Sequence, residues 1–216
     1  LDRVWDLCKH SIYATSFAGV YVDGDRERIP YEADALINQL SHYCVDDEFT
    51  LARYSVAYLC RNATWPTEWI LQAPLMAWND YMYTGDRSLL ARNYEILKAR
   101  TLTGLISTTT GKQTRELLRA CGYYGESIRD IVDWPQSGAL GIGKEQPGEA
   151  DGYELLAYNT VVNAYHYQAL KLMSGIAEAL GNMEDAAMYA AEAERVRKNV
   201  NDLLLDPAKG YYRDGI

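Results

Sequence analysis

Apolar residues recur every three or four positions over long stretches of this chain, and that spacing restricts its fold more than any other feature. Phe49, Ala52, Val56 and Leu59 step in this way, as do Trp69, Ala73, Ala77 and Tyr81. A longer stripe runs through Val162, Tyr165, Ala169, Met173, Ile176 and Leu180, and another through Ala186, Ala190, Ala193, Val196, Val200 and Leu203. A helical period gathers each set on one face of an α-helix, and that face needs another apolar face to cover it. The punctuation agrees. Pro66-Thr67 opens the Trp69 stripe and Gly85 stops it, Gly181 closes the Val162 stripe, and Asp206-Pro207 closes the Ala186 stripe. Further helices are expected over 2–16, 33–44 and 87–102, giving about seven in all and an all-α fold. No segment is rich in strand signals, although "GYYRDGI" at the end can start one short strand.

The exception to the periodicity is 121–157, which contains "IRDIVDWPQSGALGIGKEQPGEADGYE". A stretch of this length without a period, inside a compact domain, is usually functional or disordered. Ile128, Ile131, Val132, Trp134 and Tyr153 argue for order.

The chain has 216 residues, 48% of them apolar, which is enough to bury one good core. A formal net charge of -9 repels phosphate backbones and anionic membrane surfaces, so neither nucleic acid nor membrane is an expected partner. No run of about 18 apolar residues occurs, so no membrane-spanning helix is expected. Cys8, Cys44, Cys60 and Cys121 are far apart and lack metal-ligand spacing, which implies neither a zinc site nor a disulfide framework. Cys44 and Cys60 fall within helical patterns and are expected as small buried hydrophobes. His10, His42 and His166 stand alone, and His166 between two tyrosines is expected as a satisfied core histidine. "GALGIGKEQPG" and "TTTGKQT" hold glycines and lysines without phosphate-loop spacing. "ALGNMEDAAMYAAEA" has the Leu-Gly…Ala…Tyr spacing of a tetratricopeptide helix, but a solenoid needs further copies and none is visible. The aromatic usage is lopsided, with 18 Tyr and 5 Trp against 2 Phe. Such rings combine a flat apolar face with a hydrogen-bonding tip and suit polar ligands, though a merely tyrosine-rich protein has the same composition.

The densest chemistry lies in "YVDGDRERIPYEAD", residues 21–34, where Asp23, Asp25, Glu27, Glu32 and Asp34 surround Arg26 and Arg28. Neighbouring carboxylates raise one another's pKa and an adjacent arginine lowers it, so such a cluster can hold its members in different protonation states. Glycosidic bond cleavage needs that split, one protonated carboxyl and one ionised carboxylate. A capping turn is the competing account: Asp34 near the start of the next helix, and Asp23-Gly24 as a tight turn.

"DGDRERIPYEAD", together with "WPTEW" at 65–69, "RDIVDWP" at 129–135 and "NTVVNAYHYQAL" at 159–170, resembles the catalytic domain of bacterial α-L-rhamnosidases of glycoside hydrolase family 78. The resemblance runs over nearly the whole chain. It implies an (α/α)6 toroid and inverting hydrolysis of terminal α-L-rhamnosides, with a carbohydrate substrate and no metal or organic cofactor, because two carboxylates and a water suffice. By the same resemblance Glu27 matches the general acid, and Asp34 a carboxylate that binds sugar hydroxyls. Asp23 matches a preceding aspartate, with one residue fewer before Glu27 than the family has. Tyr31 takes the place of a family tryptophan, Trp134 is an aromatic wall of the sugar pocket, and Asp133 beside it is a further candidate for sugar binding. The family's Cys-Pro before the Arg-Glu segment is absent, and Pro30-Tyr31 replaces its Gly-Trp, which bears on sugar preference. The family's base is a glutamate in the second half of the toroid. Residues 1–216 are therefore expected to be the N-terminal part of a single catalytic domain, with the rest of the toroid and any β-sandwich domains lying outside them, and inactive alone. Glu68, Glu149, Asp151 and Glu154 are alternative bases within the chain. Another six-hairpin glycosidase with a different sugar, or a non-catalytic helical scaffold, are the competing functions.

Overall fold

A computed structural model of the protein describes residues 1–24, 26–103, 117–118, 128–132, 153–154 and 156–216. The helical stripes become helices α1 (Asp2–Ala14), α2 (Glu32–Val45), α3 (Thr50–Arg61), α4 (Thr67–Ile70), α5 (Ala73–Thr84), α6 (Ser88–Arg100), α7 (Thr160–Ala179) and α8 (Met183–Leu204). Connections of a few residues join α2 to α3, α5 to α6 and α7 to α8, so each pair folds back as a helical hairpin. No helix among the described residues is long and apolar enough to cross a membrane.

The main core is where the stripes meet. Leu59 on α3, Met76 on α5, Leu90 and Leu97 on α6, and Leu170, Met173 and Ile176 on α7 are all at most 1% exposed within one cluster. Burying each contributes roughly 2 kcal/mol. Gly175 on α7 admits the Trp78 ring of α5, where an added Cβ would stand 3.0 Å from the ring. A buried polar group sits among these helices. Asp80 on α5, fully buried, accepts from Tyr43 Oη at 2.7 Å and from Arg53 Nε at 2.9 Å, and Arg53 reaches on to Thr84 Oγ1 and Asp86. A second, smaller cluster contains Ile70, Leu71, Leu102, Leu118, Val162 and Ala169, with Ile128, Val132 and Tyr165 packed against it.

The helix expected from Pro66-Thr67 to Gly85 is broken at Leu71-Gln72. Pro74 has no N–H to donate to the Ile70 carbonyl, so α4 ends after one turn and α5 begins anew with proline in its first turn. The first helix stops at Ala14, short of the expected 16, because Ser16–Phe17 (β1) pairs antiparallel with Val20–Tyr21 (β2). Ala18 and Gly19, at φ 52° and 84°, form the two-residue turn between them, and the second of these suits glycine. The terminal strand signal is met by Leu205–Asp206 (β3) pairing with Tyr211–Tyr212 (β4). Cys60 is buried as expected, whereas Cys44 is exposed on α2 with its Sγ 3.6 Å from Tyr83 Oη. A helical pattern fixes only that Cys44 is in a helix, and its turn of α2 faces outward. Helix α1 buries only Ile12 and exposes Val4, Trp5 and Leu7.

Candidate active site

The acid cluster is built by a loop that closes on its own first residue. Asp23 N–H donates to the Ile29 carbonyl at 3.0 Å, and Ile29 N–H donates back to Asp23 Oδ1 at 3.1 Å. This reciprocal pair ties the ends of 23–29 together and carries Glu27 at the exposed tip. Glu27 accepts from Arg26 Nη2 at 2.7 Å on one oxygen and from Tyr31 Oη at 3.1 Å on the other. The arginine side chain is 87% exposed, so water screens that ion pair and it contributes little to stability. Asp25 lies outside the described residues.

Pro30 and Tyr31 then lead into α2, whose first turn supplies Glu32 and Asp34. Burial raises the Asp34 carboxyl above its ordinary range, and the charges of Asp23 and Glu27 add to the rise. The Tyr31 phenol is pushed up to about 12, first by burial, then by its bond to Glu27 and by the charges of Glu27, Asp23 and Asp34. Asp23, Glu27, Tyr31 and Asp34 thus act on one another as a single electrostatic group. The turn and the acid cluster are the same object: Asp23 closes the loop and Asp34 sits in the first helical turn while both belong to the cluster. Asp133 and Trp134 lie outside the described residues.

Glu32 points away from this group. It is buried, and its carboxylate accepts from Thr64 N–H at 3.0 Å and from Thr64 Oγ1. Burial raises its pKa, and the Thr64 bonds oppose the rise. The bond draws Thr64–Trp69 alongside the acid loop. Trp69 meets Tyr31 edge-to-face with centroids 5.3 Å apart, and Trp65 lies 6.4 Å from Trp69, with the Arg129 guanidinium 5.4 Å from the Trp65 ring centre. Tyr31, Trp69 and Trp65 therefore continue the acid cluster as an aromatic surface. The segment "WPTEW" is conspicuous in the sequence, but its spacing to Glu27 gave no ground for naming its tryptophans as site residues.

The alternative bases fare differently. Glu68 is 2% exposed and both its oxygens accept backbone N–H groups, from Val132 at 2.8 Å and Ile131 at 3.4 Å, which leaves it turned away from any ligand. Glu154 is exposed, held by its backbone N–H to Asp214, and Glu149 and Asp151 lie outside the described residues. His166 is buried with Nδ1 bonded to the Thr101 carbonyl, as expected of a core histidine. Asn159 and Asn163, from "NTVVN", hold loops against α7: Asn159 Nδ2 donates to Asp130 at 2.6 Å, and Asn163 bonds both the N–H and the carbonyl of Leu118. Among the described residues no three acids, histidines or cysteines converge closely enough to hold a metal ion. A cavity of about 230 Å³ lies between α7, α8 and β4, and another of about 370 Å³ beside Tyr94 and Asp185; neither is lined by the acid cluster.

Solved structures with this fold include a GH78 family rhamnosidase of Bacillus sp. GL1, at TM-score 0.74 and 19% identity over 98% of this chain. The alpha-L-rhamnosidase of Dictyoglumus thermophilum matches at TM-score 0.61 and 17% identity over 93% of the chain. The chain spans 21% and 23% of those two proteins. No curated protein sequence matches it significantly. The family model described as the bacterial alpha-L-rhamnosidase 6 hairpin glycosidase domain matches residues 1–216, and the chain therefore belongs to that family.

Proposed function

We propose that this chain is part of the catalytic domain of a glycoside hydrolase that cleaves terminal α-L-rhamnosides with inversion, with Glu27 as the proton donor. The observation that carries the reading is the acid cluster. Glu27 is presented at the tip of a closed loop, with Tyr31 bonded to it and Asp23 and Asp34 acting electrostatically on the same phenol. In this reading Glu27 protonates the leaving oxygen, Asp23 and Asp34 accept hydrogen bonds from sugar hydroxyls, and Tyr31 orients the donor. Trp69 and Trp65 offer flat apolar surface to the less polar face of the ring, and the family resemblance adds Asp133 and Trp134 to the sugar-binding residues.

An inverting enzyme also needs a base about 6.5–9.5 Å from the acid, with a water between them. The family resemblance puts that glutamate outside residues 1–216, on helices that would also cover the apolar face of α1, where Trp5 is 51% exposed. The 216 residues by themselves then bind the sugar without turning it over. The test uses a longer protein that contains this chain. Glu27→Gln should cost roughly 10²–10⁴-fold in turnover of an alkyl α-L-rhamnoside, whose leaving group needs a proton. An aryl rhamnoside with an acidic leaving group should suffer much less. Near-normal turnover of the alkyl substrate removes Glu27 from the role. A panel of aryl glycosides checks the sugar, since Pro30-Tyr31 stands at the departure from the family pattern, and preference for another sugar replaces the rhamnoside assignment. Parent-like turnover by residues 1–216 alone would place the base within them.

A further inference from the structure

Glu68 has no part in the proton transfers above, yet it is a carboxyl group only 2% exposed. It lies on the single turn of α4, between the two tryptophans of the aromatic surface. Its carboxylate accepts backbone N–H groups of another segment, Ile128–Val132, some sixty residues away in sequence. That segment runs beside 65–67 as a parallel bridge, with Arg129 N–H donating to the Trp65 carbonyl at 3.0 Å and Thr67 N–H donating to the Arg129 carbonyl at 2.9 Å. Asn159 grips its other side through Asp130.

The residue that Glu68 holds most closely is strained. Val132 has φ 55°, a left-handed backbone that a β-branched side chain rarely adopts. Such a conformation persists only where surrounding bonds over-determine it. The 2.8 Å bond from Val132 N–H to Glu68 Oε1 holds this peptide. Burial meanwhile pushes the Glu68 carboxyl up to about 7, with its own backbone N–H and those of Val132 and Ile131 opposing the rise and the Asp130 charge adding to it. Among the titratable groups on α2 and α7, which pack against α4, Glu32 is bonded to Thr64, Asp34 belongs to the acid cluster, His42 is bonded to Tyr21 and His166 to Thr101. Arg129 is stacked over Trp65.

We propose that Glu68 is a positioning residue of the sugar site: its ionised carboxylate holds Ile131 and Val132, with Val132 left-handed, in the segment that Arg129 ties to Trp65, and its protonation releases them. The sugar part of this proposal rests on the rhamnoside reading, whereas the clamp itself does not.

The experiment follows the amide protons of Ile131 and Val132, and the indole N–H protons of Trp65 and Trp69, by NMR in ¹⁵N-labelled protein over roughly pH 5 to 9. All four should move with a common midpoint near 7 in the wild type, and that titration should vanish in Glu68→Gln. Amides that do not titrate, or that titrate unchanged in the variant, overturn the clamp. Indoles that stay still while the amides move overturn its link to the aromatic surface. Val132→Gly, which adopts the left-handed backbone without strain, should leave the indoles insensitive to pH with Glu68 intact. The wild-type titration decides the matter even if a variant fails to fold. L-Rhamnose binding in the same samples tests the sugar. About one pH unit below the midpoint only a tenth of the molecules are competent, so wild-type affinity should fall up to about tenfold on a component that Glu68→Gln lacks. Every ionisable group other than Glu68 is common to both proteins and cancels from the comparison. Binding whose pH dependence is the same in the two proteins overturns the sugar role. If rhamnose binds at no pH, the rhamnoside reading fails, and the amide and indole protons alone uphold or overturn the clamp.

Discussion

Replacing Glu68 with glutamine should change how stability depends on pH, and the magnitude follows from two buried groups that oppose each other. Burial raises Glu68 from its ordinary 4.5 to about 7 in the folded protein. Between those pH values the native state therefore holds a proton that the unfolded chain has lost, and stability falls as pH rises. A tenfold change in proton affinity is worth about 1.4 kcal/mol, so the full effect is about 3 kcal/mol. Burial lowers His166 from 6.5 to about 4, against the opposing bond to Thr101. Its sign is the reverse: the unfolded chain binds the extra proton, so stability rises with pH over that window, again by about 3 kcal/mol. In the wild type the two slopes nearly cancel between about pH 4.5 and 6.5. Glu68→Gln removes one of them, so the variant should gain about 3 kcal/mol on the wild type from pH 4.5 to pH 7.5. His166→Gln should do the opposite, and fall behind as pH rises through the same range. Urea unfolding at intervals of pH measures both, with the slope m checked for constancy. A flat difference between wild type and Glu68→Gln would refute the reasoning, because it would mean that the carboxylate ionises as readily in the fold as outside it. A group that destabilises the fold at neutral pH is what a positioning role leads one to expect.

Asp80→Ala should cost about 3 kcal/mol or more, because it leaves Arg53 and Tyr43 without their buried acceptor, and a lowered urea midpoint at unchanged m measures it. Trp69→Ala should weaken L-rhamnose binding while leaving helicity unchanged, since Trp69 is only partly buried and its contact with Tyr31 is edge-to-face; unaltered affinity by calorimetry would remove the ring from the sugar surface. The apolar face of α1 should make residues 1–216 bind a hydrophobic dye, and a charge at Val4 or Leu7, both more than 60% exposed, should reduce that fluorescence without unfolding the chain.

What the sequence determined by itself is what depends on near neighbours. Helical spacing is such a property, which is why the stripes through Val162 and Ala186 became α7 and α8 and stopped near the expected residues. The break at Leu71-Gln72 was also local, written in Pro74 and outweighed by the regular spacing around it. The acid cluster was legible because Asp23, Glu27, Tyr31 and Asp34 fall within twelve positions, so a single closed loop and one helical turn suffice to bring them together. Only the tertiary structure could decide which side of α2 Cys44 faces, since burial depends on what packs there. Trp65 and Trp69 joined the acids only because Glu32 is bonded to Thr64, a pairing across 32 residues. The clamp between Glu68 and Val132 spans 64. A carboxylate reads in sequence as a solvated charge, and it becomes a buried anchor for a strained peptide only when the fold removes its water and supplies two backbone N–H groups in exchange.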